Sequence, residues 1–243
     1  MVTKTINHKY LHFGPVLCET KTDLNLCKEL LERGEKTRGV RKPGPKTPLS
    51  TKVQIQSNYT HEDKLWFVEN FSPYFIPYFK KLQDKNYYGM RQFNRVSLNG
   101  LWINYMQKNE YNRPHTHGGS FSFCLYLQVP EAIYTASGQY PKTGVDGKPI
   151  GIGGISSIQP GSVIFWYGED QTGIVTAHGI KPRAGDLWLF PAPLRHMVPP
   201  FRVDGTRISV SGHLTISDES NKGQPIQPDE FILNNYKENN AKI

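Results

Sequence analysis

Between residues 93 and 216 the chain is a succession of short runs rich in β-branched and aromatic residues. No helical period intervenes between them. NRVSLNGLWINYMQ, SFSFCLYLQV, GSVIFWYG, GDLWLFPA and TRISVSGHLTI are each bounded by Gly, Pro or Asn, the punctuation of strands joined by turns. Strand after strand without crossover helices excludes a parallel α/β sheet and argues for an antiparallel barrel or jelly roll. The 22 glycines and 18 prolines are scattered without a repeat, as many turns require.

The first third is different. TDLNLCKELLER, residues 22–33, puts Leu26, Cys27, Leu30 and Leu31 on one helical face, with Thr22 as N-cap and Gly34 as stop. A second helix begins near Thr60, where Asp63 completes an acidic first turn, and runs through EDKLWFVENF. Pro73 and Pro77 should break it into pieces before FKKLQDK. Between the two helices, EKTRGVRKPGPKTPLS reads as a basic, solvated Pro/Gly loop. It lacks the aromatic interleaving of a nucleic-acid stacking surface. The Gly-rich stretch GVDGKPIGIGGISS, residues 144–157, does not open a helix and reads as a hairpin or flap rather than a phosphate loop. The expected organisation is a mixed helical extension packed on the core (1–90), a β core (91–216) and a polar, loosely held tail (217–243).

With 243 residues, 37% of them hydrophobic and 12% aromatic, the chain can bury a sizeable core as one domain with extensions. The net charge of +8 permits an acidic substrate or cofactor, or a polyanionic partner. No nucleic-acid-binding motif accompanies it. Cys18, Cys27 and Cys124 form no CxxC pair and no disulfide framework, as in a reducing cytosol. The N-terminus reads as no leader peptide, and no run approaches the roughly 18 apolar residues of a membrane span. The expectation is a cytoplasmic protein with no membrane partner.

One constellation carries chemistry. His115-Thr116-His117 places two imidazoles on the same face of an extended segment, and His196, in GDLWLFPAPLRHMVPP, follows a buried strand in what reads as a turn. A third imidazole from a distant strand can close a three-ligand face around one metal ion. Arg207 opens RISVSGHL, where alternation puts Arg207, Ser209 and Ser211 on one face and Ile208 and Val210 on the other. An arginine aimed into a barrel interior is strongly disfavoured unless it meets an anion, and a bidentate carboxylate is the natural partner. His8, His12, His61, His178 and His213 have no partner at ligand spacing and read as structural or surface residues.

The order WINYMQKNEYNRPHTHGGSFSFCLYL, then GDLWLFPAPLRHMVPPF, then RISVSGHL resembles the iron(II)- and 2-oxoglutarate-dependent dioxygenases. Within them it is most similar to a branch of marine phages and bacteria that is distantly prolyl-hydroxylase-like. The resemblance covers most of residues 10–216 and is most specific from Trp102 to His213. It implies a mainly β chain with N-terminal helices around a double-stranded β-helix, the cupin-like jelly roll. It also implies Fe(II), 2-oxoglutarate and O2 as cofactors, and, for a phage-encoded chain, action in the host cytoplasm.

By the same resemblance His115, His117 and His196 would hold the iron, and Arg207, with Ser209 and Tyr126, would bind the far carboxylate of 2-oxoglutarate. Tyr105 would lie near that cosubstrate. His117 stands where the family has a carboxylate. In a second registration His117 is the first ligand, Gly119 takes the carboxylate's place and one coordination position is left open. The implied reaction is hydroxylation of a peptidyl or small-molecule substrate, a prolyl side chain, nucleobase, sugar or metabolite, with 2-oxoglutarate decarboxylated to succinate. Specificity loops fall in 35–60 and 131–160. The alternatives are a three-His cupin-type metal enzyme without 2-oxoglutarate, which leaves Arg207 unexplained, and an inactive jelly-roll binding or virion-associated module.

Overall fold

In the computed structural model, residues 7–12, 14–39, 53–85, 93–135, 160–168, 177–216, 225 and 227–233 are described. Two antiparallel sheets face each other. The large one contains β1 (His8–His12), β2 (Val16–Lys21), β9 (Asp186–Pro191), β6 (Phe121–Gln128), β11 (Arg207–Ile216), β4 (Arg95–Met106) and β12 (Glu230–Ile232) in that order, with β3 (Ile55–Asn58) also paired to β4. The small one runs β5 (Asn112–His115), β10 (Arg195–Val198), β7 (Val163–Trp166), β8 (Ala177–Ile180). This is the expected mainly β jelly roll. Among the described residues no helix is long and apolar enough to cross a membrane.

Both faces of the large sheet are covered, and strict alternation decides which side chain goes where. On β4, Leu101, Ile103 and Tyr105 join the core beneath the helices, as do Ile208, Val210 and Leu214 on β11. Trp102, Asn104 and Met106, with Arg207, Ser209 and Ser211, face the small sheet instead. A one-residue slip would exchange the two sets, so burial on both sides fixes the register.

The helical layer is α1 (Leu24–Lys36) and α2 (His61–Asp84), with a short α3 (Ala132–Thr135) elsewhere. Helix α1 is capped by Asp23 rather than Thr22; the Thr22 hydroxyl donates to the Gly185 carbonyl instead. Gly34 lies inside the helix and does not end it. A Cβ there would come within 2.6 Å of Ile103 Cδ1 and 2.9 Å of Tyr59 Oη, so this glycine permits close approach of helix to sheet. Helix α2 starts with the Thr60–Asp63 capping box and continues unbroken through Pro73 and Pro77. These prolines share the half-exposed stripe with Glu69, where water can satisfy the freed carbonyls. Each interior proline costs about 3 kcal/mol. The opposing face buries Phe67, Phe71, Phe75, Phe79 and Leu82 among others, each contributing about 1.5–3 kcal/mol. Packing wins.

The expected boundaries at 90 and 217 do not divide the sheets. β2 pairs with β9 and β3 with β4, so the N-terminal extension supplies core strands. In the segment read as a loose tail, Phe231 is fully buried, stacked 5.0 Å from Phe75, and β12 pairs with β4. Two buried apolar side chains, Phe231 and Leu233, seat that strand in an otherwise polar stretch. The Gly-rich stretch 144–157, most of the basic loop and most of the expected specificity loops lie outside the described residues.

Candidate metal centre and anion pocket

His115 ends β5 directly opposite His196 on β10, which in turn pairs with Phe165 on β7. His196 is thus a strand residue, not a turn residue: its neighbours' alternation buries it at 6% exposure between Phe165 and Phe190. His117 follows in the connection to β6, its backbone N–H donated to the Ala192 carbonyl at 2.9 Å. The ring centroids of His115 and His196 are 4.2 Å apart, of His117 and His196 4.9 Å, and of His115 and His117 5.1 Å. One nitrogen from each of the three lies within 4.8 Å of the others, and among the described residues no carboxylate joins them. The nearest buried acid in the β4–β5 connection, Glu110, is occupied by the backbone N–H groups of Gln107 and Gln54.

Orientation is built in. His115 Nδ1 donates to the Arg113 carbonyl at 2.6 Å and His196 Nδ1 to the Leu194 carbonyl at 2.9 Å. A carbonyl can only accept, so both rings carry their proton on Nδ1 and present a bare Nε2, as metal-ligating histidines do. Burial, reinforced by the neighbouring His196, His115 and His213 imidazoles, pulls His117 down to about 2. Burial, then His115, takes His196 to about 3, and burial lowers His115 as well. At neutral pH three uncharged imidazoles therefore converge, which is the protonation state a divalent cation needs.

The same cavity, about 60 Å³, is lined further along by Arg207, Ser209 and Ser211. Arg207 is 3% exposed. Its Nη1 lies 3.8 Å from the Met106 sulfur, while Nε and Nη2 have no hydrogen-bond partner among the described residues. Tyr126, opposite Ser209 across the β6–β11 ladder, puts its ring 4.8 Å from the guanidinium carbon. Its hydroxyl has no oxygen or nitrogen partner among the described residues. Burial holds that phenol well above its ordinary range, so it is a donor. A buried guanidinium with two idle N–H-bearing nitrogens beside a neutral phenol and a serine fits a carboxylate, and three neutral imidazoles fit a divalent metal. The residues present match Fe(II) and 2-oxoglutarate.

Tyr105 does not belong to this set. Its β4 parity pairs it with Ile208 and aims it at the helical core, under the Arg38 guanidinium at 4.6 Å. Asn104 and Met106 line the cavity in its stead. The converse correction concerns His213, read from sequence as partnerless: its Nε2 is 3.3 Å from His117 Nδ1. The signal was present, since His213 continues the alternation of Arg207, Ser209 and Ser211. As for the second registration, Gly119 has φ +87°, and a Cβ on it would come within 2.7 Å of the Leu214 carbonyl oxygen. That position has no room for a carboxylate, whereas His115 joins the cluster.

Residues 100–212 match a family model described as "Putative 2OG-Fe(II) oxygenase". No curated protein matches the chain. Among solved structures, OsALKBH1 superposes over 84% of this chain and all of its own (100%) with a TM-score of 0.50 at 11% identity. A prolyl-4-hydroxylase of Pseudomonas putida covers 89% of this chain and 95% of its own (TM-score 0.48, 12% identity). The viral collagen prolyl hydroxylase of Paramecium bursaria Chlorella virus-1, a 2OG complex, covers 85% and 94% (TM-score 0.45, 12% identity). At 11% identity the likeness to OsALKBH1 speaks for the fold alone, and the other two likenesses carry no argument. Residues 100–212, a little under half of the chain, are thus similar to the iron(II)- and 2-oxoglutarate-dependent oxygenases, a family whose cofactors are Fe(II), 2-oxoglutarate and O2.

Proposed function

We propose that the chain is a hydroxylase in which His115, His117 and His196 hold Fe(II) and Arg207, Ser209 and Tyr126 hold the far carboxylate of 2-oxoglutarate. Bound together, metal and cosubstrate supply the oxidation: O2 and 2-oxoglutarate are consumed, a substrate C–H becomes C–OH, and succinate and CO2 leave. The protein's part is placement and shelter. Carbonyl-anchored Nδ1 atoms on His115 and His196 keep Nε2 pointed inward. The Arg207 fork and the protonated Tyr126 hydroxyl give the cosubstrate one orientation. Phe165, Phe190 and Val198 wall the cavity with apolar surface and keep bulk water from the reacting centre.

The observation that carries this reading is the Arg207 guanidinium, buried in the same cavity as the three imidazoles with two nitrogens unpartnered among the described residues. A three-His metal enzyme without a dicarboxylate cosubstrate gives that charge nothing to do. The test is anaerobic addition of Fe(II) and 2-oxoglutarate to the metal-depleted chain. The weak visible charge-transfer band of the chelate is expected, followed on admission of O2 by slow release of succinate without added substrate. Absence of the band at saturating metal refutes the proposal.

A further inference from the structure

The three imidazoles of the centre are not held alike. Those of His115 and His196 each donate from Nδ1 to a backbone carbonyl two residues earlier, an acceptor whose role cannot change. His117, which stands where a carboxylate is usual, has no such carbonyl among the described residues. Its Nδ1 faces Nε2 of His213, 3.3 Å away, with ring centroids 5.2 Å apart and planes at 57°. An imidazole nitrogen can donate or accept, so the tautomer of His213 decides what His117 can do.

His213 is itself set in place. The β4–β11 ladder shifts register between His213 and Leu214, where His213 sits opposite Gly100. Its ring meets the edge of Trp102 at 4.7 Å and 70°, and Trp102 also approaches His117 at 5.7 Å. A Cβ on Gly100 would lie 3.6 Å from Trp102 Cζ3 and 3.8 Å from His213 Nδ1, so the indole and imidazole lie over that bare backbone. The backbone of His117 is tied to Ala192. The contact with His213 is the one hydrogen bond described for its ring.

We propose that His213 is a positioning residue: it carries its proton on Nδ1, accepts the His117 Nδ1–H at Nε2, and so turns the His117 Nε2 lone pair toward the metal. This rests on the three-histidine metal reading above and extends it to a fourth histidine. The hydrogen bond raises the basicity of His117 as a ligand, where a chain lacking the usual carboxylate has most need of it. The partner on the other two rings is backbone and cannot be mutated away; on His117 it is a side chain, which makes the idea testable.

The metal-depleted full chain is titrated with Co(II) alone, reading affinity and the visible d–d spectrum. His213→Leu keeps the bulk and loses the acceptor; it is expected to bind Co(II) about 10–100-fold more weakly, with an altered spectrum. His213→Gln, whose Oε1 can accept in place of Nε2, is expected to stay near wild type. A His213→Leu chain that binds Co(II) like wild type overturns the proposal, as does equal loss in the Leu and Gln variants. Nitrogen-15 spectra of the Zn(II)-loaded wild type read the tautomers without any substitution. Protons on Nδ1 of both His117 and His213 support the assignment, and a proton on Nε2 of His213 refutes it. Wild type that takes up no Co(II) overturns the underlying metal reading instead.

Discussion

Arg207 sets function against stability, and Arg207→Met measures the conflict. In the ligand-free chain the guanidinium is 3% exposed with Nε and Nη2 unpartnered among the described residues, and each unsatisfied buried group costs about 1–3 kcal/mol. Its compensation is the contact over the Tyr126 ring at 4.8 Å, worth about 1–2 kcal/mol at a desolvated site. Methionine keeps much of the stem's packing against Met106 and Tyr126 while removing the charge. The metal-free, cosubstrate-free variant should therefore be more stable than wild type by roughly 1–4 kcal/mol, in line with other buried charges replaced by apolar groups. For a chain of this size that is a rise in Tm of a few to about 10 °C. Scanning calorimetry in a chelating buffer reads it directly. The second arm adds Mn(II) and 2-oxoglutarate. Wild type gains about 2.7 kcal/mol at a hundredfold excess over Kd, and the variant should gain only the metal's share. A lower Tm for ligand-free Arg207→Met, or an undiminished 2-oxoglutarate shift, refutes the reasoning.

Gly34→Val should destabilise the chain by about 1–3 kcal/mol, because a Cβ there would meet Ile103 Cδ1 at 2.6 Å and Tyr59 Oη at 2.9 Å and disturb the Tyr59 bond to the Leu30 carbonyl. An unchanged urea midpoint would show that α1 can lift off the sheet freely. The metal-free chain should also lose stability in mild acid. His196 and His117, lowered by burial to about 3 and about 2 from 6.5, stay neutral when folded but gain protons when unfolded. Their contribution is complete above pH 6.5 and is lost as pH falls from there toward the folded values. The slope approaches about 1.4 kcal/mol per pH unit for the buried His196 and is smaller for half-buried His117. Urea midpoints of wild type should fall faster with pH than those of His196→Phe, and parallel curves exclude the linkage.

The β core was legible in the sequence because its runs are rich in apolar residues and punctuated: β4, β6, β7, β9 and β11 all lie within the expected runs. The strands that escaped are short or carry little apolar signal. β5 is Asn112–His115, with a proline in it, and β12 is three residues long. Helix α2 escaped in another way, since local proline chemistry argues for a break and only the tertiary burial of its aromatic face overrides it. At the site, residue types with few alternative uses were readable: His115, His117, His196 and Arg207 converge. Tyr105 was misplaced because tyrosine serves equally in a core or a pocket. Its strand parity, shared with Leu101 and Ile103, held the answer.

Strand β11 ties these points together. A strand covered on both faces ordinarily carries apolar residues on both. β11 does so on one face only, with Ile208, Val210 and Leu214 beneath the helices, and places Arg207, Ser209, Ser211 and His213 in a row on the other. Six residues of extended chain separate Arg207 from His213, about 20 Å, with the proposed carboxylate anchor at one end and the partner of His117 at the other. A row of polar groups on a buried face is unfavourable without something to bind, and Arg207, Ser209 and Ser211 line the cavity that gives them that room. The sequence that makes β11 a poor structural strand is the sequence that makes it a site. Its register must be held from outside, by β4 on one side and β6 on the other, because a slip of one residue would bury the arginine among the phenylalanines and abolish pocket and core together.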